Sequence, residues 1–210
     1  MHNASVVGAS GLVGGKILES LGPRGSVQAW VRREIALPGK AESVVSPRIP
    51  DPDDGFWRSE SLFVALGTTI TKAGSREAFE VVDLELVVEC ARRARGMGCT
   101  TLALVSATGA DSGSAIFYNR VKGRAEDAVL ALGFPRVAIA RPSLLLGDRA
   151  EFRFGEALAR RCLGPVRGLV PAAWRPVRDR EVASALVKAV DDPAWSGVRI
   201  LDNAAMVRGG

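Results

Sequence analysis

Ser5-Val-Val-Gly-Ala-Ser-Gly-Leu-Val-Gly-Gly-Lys-Ile-Leu-Glu-Ser-Leu21 is the stretch that decides the fold. A short apolar run passes through a glycine turn into residues whose apolar positions recur at helical spacing, so it reads as strand, turn and helix. Gly8, Gly11 and Gly14 have the spacing G-x-x-G-x-x-G. In such a turn the first glycine permits the tight reversal, the second lets backbone approach a pyrophosphate, and the third lets helix pack close to strand. The helix N-terminus adds N–H donors and the positive end of a dipole, which makes a phosphate the expected ligand. Gly8, Ser10, Gly11, Leu12, Val13 and Gly14 are the expected contacts. The spacing departs from the commoner G-x-G-x-x-G, and it lacks the G-x-S-x-G of a hydrolase nucleophile elbow.

A second apolar run, Gly25-Ser-Val-Gln-Ala-Trp-Val31, ends in Arg32 and Arg33. An acidic residue at the end of this strand would hold the adenosine ribose hydroxyls and repel an extra phosphate, whereas arginine accommodates a 2′-phosphate. The expected cofactor is NADP(H). Glu34 follows directly and blurs the preference.

The chemistry is expected around Ser106, Tyr118 and Lys122. Tyr118 is the only tyrosine of the chain and stands four residues before Lys122 in Ala115-Ile-Phe-Tyr-Asn-Arg-Val-Lys-Gly-Arg124. On a helix, positions four apart share a face, so a phenol and an ammonium project together. A nearby cation favours the phenolate and makes a tyrosine usable as a proton donor or acceptor. Ser106, in Leu104-Val-Ser-Ala-Thr-Gly109, would hold the substrate oxygen.

With these pieces placed, the chain resembles the short-chain dehydrogenase/reductase superfamily, and within it the atypical NAD(P)-binding branch that includes the Tat-interacting-protein-like oxidoreductases. Ala65-Leu-Gly-Thr-Thr-Ile-Thr-Lys-Ala-Gly-Ser75, Val81-Val-Asp83, Val105-Ser-Ala-Thr-Gly-Ala-Asp111 and Ala140-Arg-Pro-Ser-Leu-Leu-Leu-Gly147 carry it, and the match runs from about residue 5 to residue 190. The resemblance implies a doubly wound Rossmann fold: a central parallel sheet of six or seven strands flanked by helices. It further implies that Leu66, Gly67, Thr68 and Thr69 line the cofactor and that Ser106, Tyr118 and Lys122 are catalytic. Tyr118 and Lys122 would also touch the cofactor, and Arg141, Pro142 and Ser143 would border the nicotinamide. The asparagine that many members use for proton relay has no evident counterpart, with Asp83 lying in that region. Some relatives on this branch are known better as regulatory or assembly proteins than as enzymes.

The remaining sequence fits this architecture. At 210 residues and 47% hydrophobic composition, the chain suits one NAD(P)-binding domain over residues 1–210, with a small substrate-covering region around 144–176. Strands are expected at Ser5–Gly8, Ser26–Val31, Ser43–Ser46, Ser61–Leu66, Thr101–Ser106, Val137–Ala140 and Val198–Leu201. Helices are expected at Leu12–Leu21, Arg76–Arg95, Phe117–Leu132, Glu151–Cys162 and Asp179–Val190. Only Arg32 to Glu42 separates the second and third strands, with Pro38-Gly39 inside it, so that crossover should be short or irregular. In the covering region Leu169 and Trp174 could wall the substrate, while Arg149, Arg153 or Arg175 could meet an anionic group.

The formal net charge is +5, with clusters at Arg92-Arg93-Ala-Arg95, Arg160-Arg161 and Arg175 to Arg180. Without interleaved aromatics or a nucleic-acid motif these read as solvated helix faces, so neither nucleic acid nor a membrane is an expected partner. Cys90, Cys99 and Cys162 lack C-x-x-C spacing and His2 is the sole histidine, which supports neither a metal site nor a disulfide framework. Reduced, mostly buried thiols are expected. No secretory or membrane-spanning stretch is read in the sequence, and a cytoplasmic protein follows as the expectation. The expected activity is NADP(H)-dependent interconversion of a small-molecule carbonyl and an alcohol, in a possible homodimer. A nucleotide-sugar epimerase-like enzyme and a cofactor-binding regulatory or scaffold protein with little turnover are the alternatives.

Overall fold

The computed structural model describes residues 3–22, 25–38, 41–146 and 175–208. Seven strands form one sheet: β1 (Ala4–Val7), β2 (Val27–Val31), β3 (Glu42–Val45), β4 (Ser61–Val64), β5 (Thr101–Val105), β6 (Arg136–Arg141) and β9 (Gly197–Asp202). Their order is β3-β2-β1-β4-β5-β6-β9, and every neighbouring pair is parallel. A parallel sheet needs cover on both faces, and the wholly buried β1 and β4 show that it has it. On one face α1 (Leu12–Leu21) and α6 (Asp179–Asp191) pack over Val6, Ala29, Phe63 and Ala138. On the other, α4 (Leu86–Gly96) and α5 (Phe117–Leu130) join Phe56 and Trp57 over Val7, Leu62, Leu102 and Ile139. This is the doubly wound Rossmann fold expected from the sequence, and all seven expected strands lie within one or two residues of those observed.

The chain winds outward from β1 in one direction through β2 and β3, and in the other through β4, β5, β6 and β9, so the switch point lies between β1 and β4. Ligands of such sheets bind in the crevice beyond the carboxyl ends of the strands there. Two glycines let the chain close that point. Gly8 has φ +84°, a left-handed conformation costly for any residue with a Cβ, and a Cβ there would lie 2.4 Å from the Ala65 carbonyl oxygen. A Cβ on Gly14 would lie 2.2 Å from the Gly8 oxygen. The turn after β1 is thereby wedged between α1 and the end of β4.

Several features go beyond the sequence expectations. The long helix expected at Arg76–Arg95 is α3 (Arg76–Glu80), a π turn (Val81–Glu85) and α4, with the Leu86 N–H donating to the Val81 oxygen five residues back. α2 (Ile70–Ala73) is a single turn that ends at Gly74, whose φ is +88°. A two-stranded parallel sheet of β7 (Leu145–Leu146) and β8 (Val177–Arg178) and a terminal α7 (Asn203–Arg208) were not foreseen. α5 ends at Leu130 rather than Leu132, just before the left-handed Gly133. The crossover from β2 to β3 has no helix among its described residues, as expected. The helix expected at Glu151–Cys162, the covering residues Arg149, Arg153, Leu169 and Trp174, and Cys162 lie outside the described residues. Cys90 and Cys99 are fully buried, and burial pushes their thiols up, to about 12 and about 11 respectively.

The two neighbouring glycines of α1 should separate cleanly. Gly14→Ala must displace backbone and should cost about 1–3 kcal/mol, the range of an overpacked core. At Gly15 a Cβ would meet the Ala9 oxygen at 3.7 Å, an ordinary contact, so Gly15→Ala should stabilise by up to about 1 kcal/mol through helix propensity. Urea denaturation of both variants measures the difference.

Candidate active site

α5 carries three chemistry-bearing side chains at four-residue intervals, Tyr118, Lys122 and Glu126, along one face. Lys122 and Glu126 are buried and Tyr118 is half-buried. The helix lies hard against the loop after β5: a Cβ on Gly123 would come within 2.2 Å of the Asp111 carbonyl carbon and the Ser112 nitrogen. The same loop is tied by the Asp111 N–H donating to the Asn119 oxygen at 3.1 Å. Ser106, at the end of β5, is thus held against α5 at a fixed depth.

There Ser106 meets Glu126 rather than Tyr118. Its N–H donates to the Ala140 oxygen at 2.8 Å, and its hydroxyl donates to Glu126 Oε1. Glu126 in turn is paired with Arg141, whose Nε donates to Oε1 at 3.1 Å and whose Nη2 lies 2.5 Å from Oε2. Hydrogen bonding to Glu126 raises the pKa of the Arg141 guanidinium, with partial burial opposing. A hydroxyl has one proton, so while Ser106 donates to Glu126 its oxygen faces any other partner as an acceptor only.

Lys122 has a carboxylate of its own. Its Nζ lies 2.7 Å from Asp83 Oδ1 in an ion pair with both side chains buried. Asp83 Oδ2 accepts the Thr68 N–H at 2.9 Å. Gly67 lies over the pair, where a Cβ would stand 3.5 Å from Asp83 Oδ1 and 3.9 Å from Lys122 Nζ. Lys122 is therefore an ion-paired cation, not the lone charge beside Tyr118 that the i,i+4 spacing suggested. The Tyr118 ring packs against Phe79 at 5.5 Å between centroids, and no described residue hydrogen-bonds its hydroxyl.

The other expected residues gather at the same end of the sheet. The glycine turn follows β1, Arg32 and Arg33 follow β2 and are exposed, and Leu66 to Thr69 follow β4. The N-cap of α1 is Gly11, which has no side chain to offer, and the first turn holds no acidic residue, so the positive end of the helix dipole suits an anion such as a pyrophosphate. Thr69 caps α2, its hydroxyl accepting the Lys72 N–H at 3.2 Å. At the end of β6 the Arg141 and Pro142 oxygens accept from Thr108 Oγ1 and N. Ser143 is engaged locally, its N–H donating to Asn203 Oδ1 at 2.8 Å and its hydroxyl to the Arg175 oxygen at 2.7 Å.

Glu126 was not singled out from sequence, and Asp83 only as standing near a missing asparagine. Both carried a legible signal. Asp83 falls in the buried series Phe79, Asp83, Val87, Cys90, Ala94, and Glu126 sits among the buried Val121, Ala125 and Val129. A charge on the apolar face of a helix needs a partner.

Fold and crevice together define the class, an atypical short-chain dehydrogenase/reductase. No family model matches the chain. It is 35% identical over 94% of its length to the protein fmp52, mitochondrial, of Emericella nidulans, 92% of which is covered. It is also 34% identical over 99% of its length to the protein HTATIP2 of Rattus norvegicus, 89% of which is covered. The chain belongs to the FMP52/HTATIP2 family. Among solved structures it resembles MoeE5 in complex with UDP-glucose and NAD, at a TM-score of 0.69 and 17% identity over 95% of this chain and 76% of that one. The relatives correct one expectation: several FMP52 proteins are named mitochondrial, against the cytoplasmic reading. The reason is that lacking a secretory or membrane-spanning stretch speaks only to those routes and does not separate cytosol from an organelle.

The Ser106–Glu126–Arg141 network should be felt in stability. Glu126→Ala leaves a buried hydroxyl and a guanidinium without their acceptor and should cost about 1–3 kcal/mol. Glu126→Gln keeps an acceptor and should cost less. Glu19→Ala, which removes the exposed Lys16–Glu19 pair, should change stability by at most about 1 kcal/mol, as urea midpoints would report.

Proposed function

We propose that this protein is an NADP(H)-dependent oxidoreductase that interconverts a carbonyl and an alcohol by hydride transfer. The observation that carries this reading is that three features stand at the carboxyl end of one parallel sheet. These are the N-terminus of α1 behind the glycine turn, the exposed Arg32 and Arg33 beyond β2, and the α5 face that carries Tyr118 and Lys122. In this reading the α1 amides hold a pyrophosphate and the two arginines meet a 2′-phosphate. The hydride chemistry belongs to the bound nicotinamide. Tyr118 passes the proton to or from the substrate oxygen, Lys122 holds the ribose, and Ser106, whose hydroxyl donates to Glu126, can accept a hydrogen bond from the hydroxyl of an alcohol substrate. The NAD in MoeE5, a protein of the same fold, supports a nicotinamide dinucleotide as the ligand.

A second reading, a cofactor-binding regulatory protein with little or no turnover, is favoured by a specific observation. Two of the three expected catalytic side chains are held by carboxylates, Ser106 by Glu126 and Lys122 by Asp83.

Fluorescence titration and single-turnover kinetics separate the readings. Each charge-assisted hydrogen bond contributes about 1.5–3 kcal/mol, so NADPH should bind at least about tenfold more tightly than NADH. Arg32→Ala/Arg33→Ala should abolish that preference, and equal affinities in the wild type would defeat the NADP assignment. On a panel of aldehydes and ketones, Tyr118→Phe should keep NADPH affinity and lower turnover by about 10²- to 10⁴-fold. NADPH binding without turnover of any panel member would favour the regulatory reading.

A further inference from the structure

We infer that Asp83 is the positioning residue of Lys122: its buried carboxylate clamps the lysine ammonium to the loop after β4, coupling dinucleotide binding at that loop to the placement of the lysine. The inference rests on reading the crevice as a dinucleotide site.

One carboxylate does two jobs with its two oxygens. Oδ2 takes the backbone N–H of Thr68, and Oδ1 stands 2.7 Å from Lys122 Nζ. The loop it grips is short, with its next residue, Thr69, already capping α2. Gly67 brings that loop's backbone directly over the pair, leaving no side chain between loop and ammonium. Movement of the loop is therefore transmitted to Lys122 through a single side chain.

The pair is poorly explained as a stabilising ion pair. Asp83 is 1% exposed and Lys122 6%. Burying two charges costs desolvation that their attraction only partly offsets, and an apolar pair of similar volume is often as stable. Its geometry suits positioning instead. Asp83 Oδ1 meets the ammonium on one side, and an ammonium carries three N–H groups, so donors remain for a further acceptor. The backbone is shaped to the same end: the π turn Val81–Glu85 carries Asp83, and such turns are often found at functional sites.

A double-mutant cycle tests the clamp, with NADPH as probe and fluorescence titration as readout. Asp83→Asn is isosteric and keeps an acceptor for Thr68, so what it removes is the charge that faces Lys122. If Asp83 acts through Lys122, Asp83→Asn and Lys122→Met should each weaken NADPH at least about tenfold. The double variant should then bind no more weakly than Lys122→Met alone. It also buries no unpaired charge and should unfold at a urea concentration close to that of the wild type. Should Asp83→Asn not fold, Asp83→Glu, which keeps the charge but moves it by one methylene, replaces it in the same cycle with the same criterion. Wild-type affinity in the Asp83 variant, or losses that multiply in the double variant, would overturn the clamp. A wild type that binds no dinucleotide would instead defeat the reading of the crevice on which it rests.

Discussion

The contact on which the rest depends is the wedge at the switch point, where the backbone at Gly8 is pressed against Ala65 on one side and Gly14 on the other. Neither contact has room for a Cβ. Because of that closeness the N-terminus of α1, the end of β4 and the loop running from it to α2 share one crevice. A side chain at Gly14 would push α1 away from β1, and the amides at its start would no longer face the loop that begins at Leu66.

A second close approach, Gly123 against Asp111 and Ser112, brings α5 near enough to β5 and the π turn for its buried charges to find partners. Two carboxylates result, each engaged on both sides. Glu126 joins Ser106 to Arg141, and Asp83 joins Lys122 to Thr68. Buried charges of this kind are tolerated only when paired. Here the pairings link the ends of β4, β5 and β6 to one helix face through two separate polar groups. Ser106 consequently offers an accepting oxygen, a more restricted role than a free serine hydroxyl would have.

The sequence by itself determined the architecture and named the candidates for the site. Glycine spacing before an amphipathic run marked strand, turn and helix at Ser5–Leu21, and apolar runs such as those at Leu62, Leu102 and Val137 marked strands covered on both faces. These signals are local and depend on periodicities of two and 3.6 residues, which survive in a linear string. The tertiary structure alone decided who partners whom. Tyr118 and Lys122 are one turn apart in the sequence, but the nearest charge to Lys122 comes from residue 83, and the hydroxyl of Ser106 turns to residue 126. Those contacts depend on how closely α5 approaches the sheet and on the π turn that carries Asp83, and both are set by packing across the core. No spacing along the chain encodes a distance between side chains brought together from separate elements.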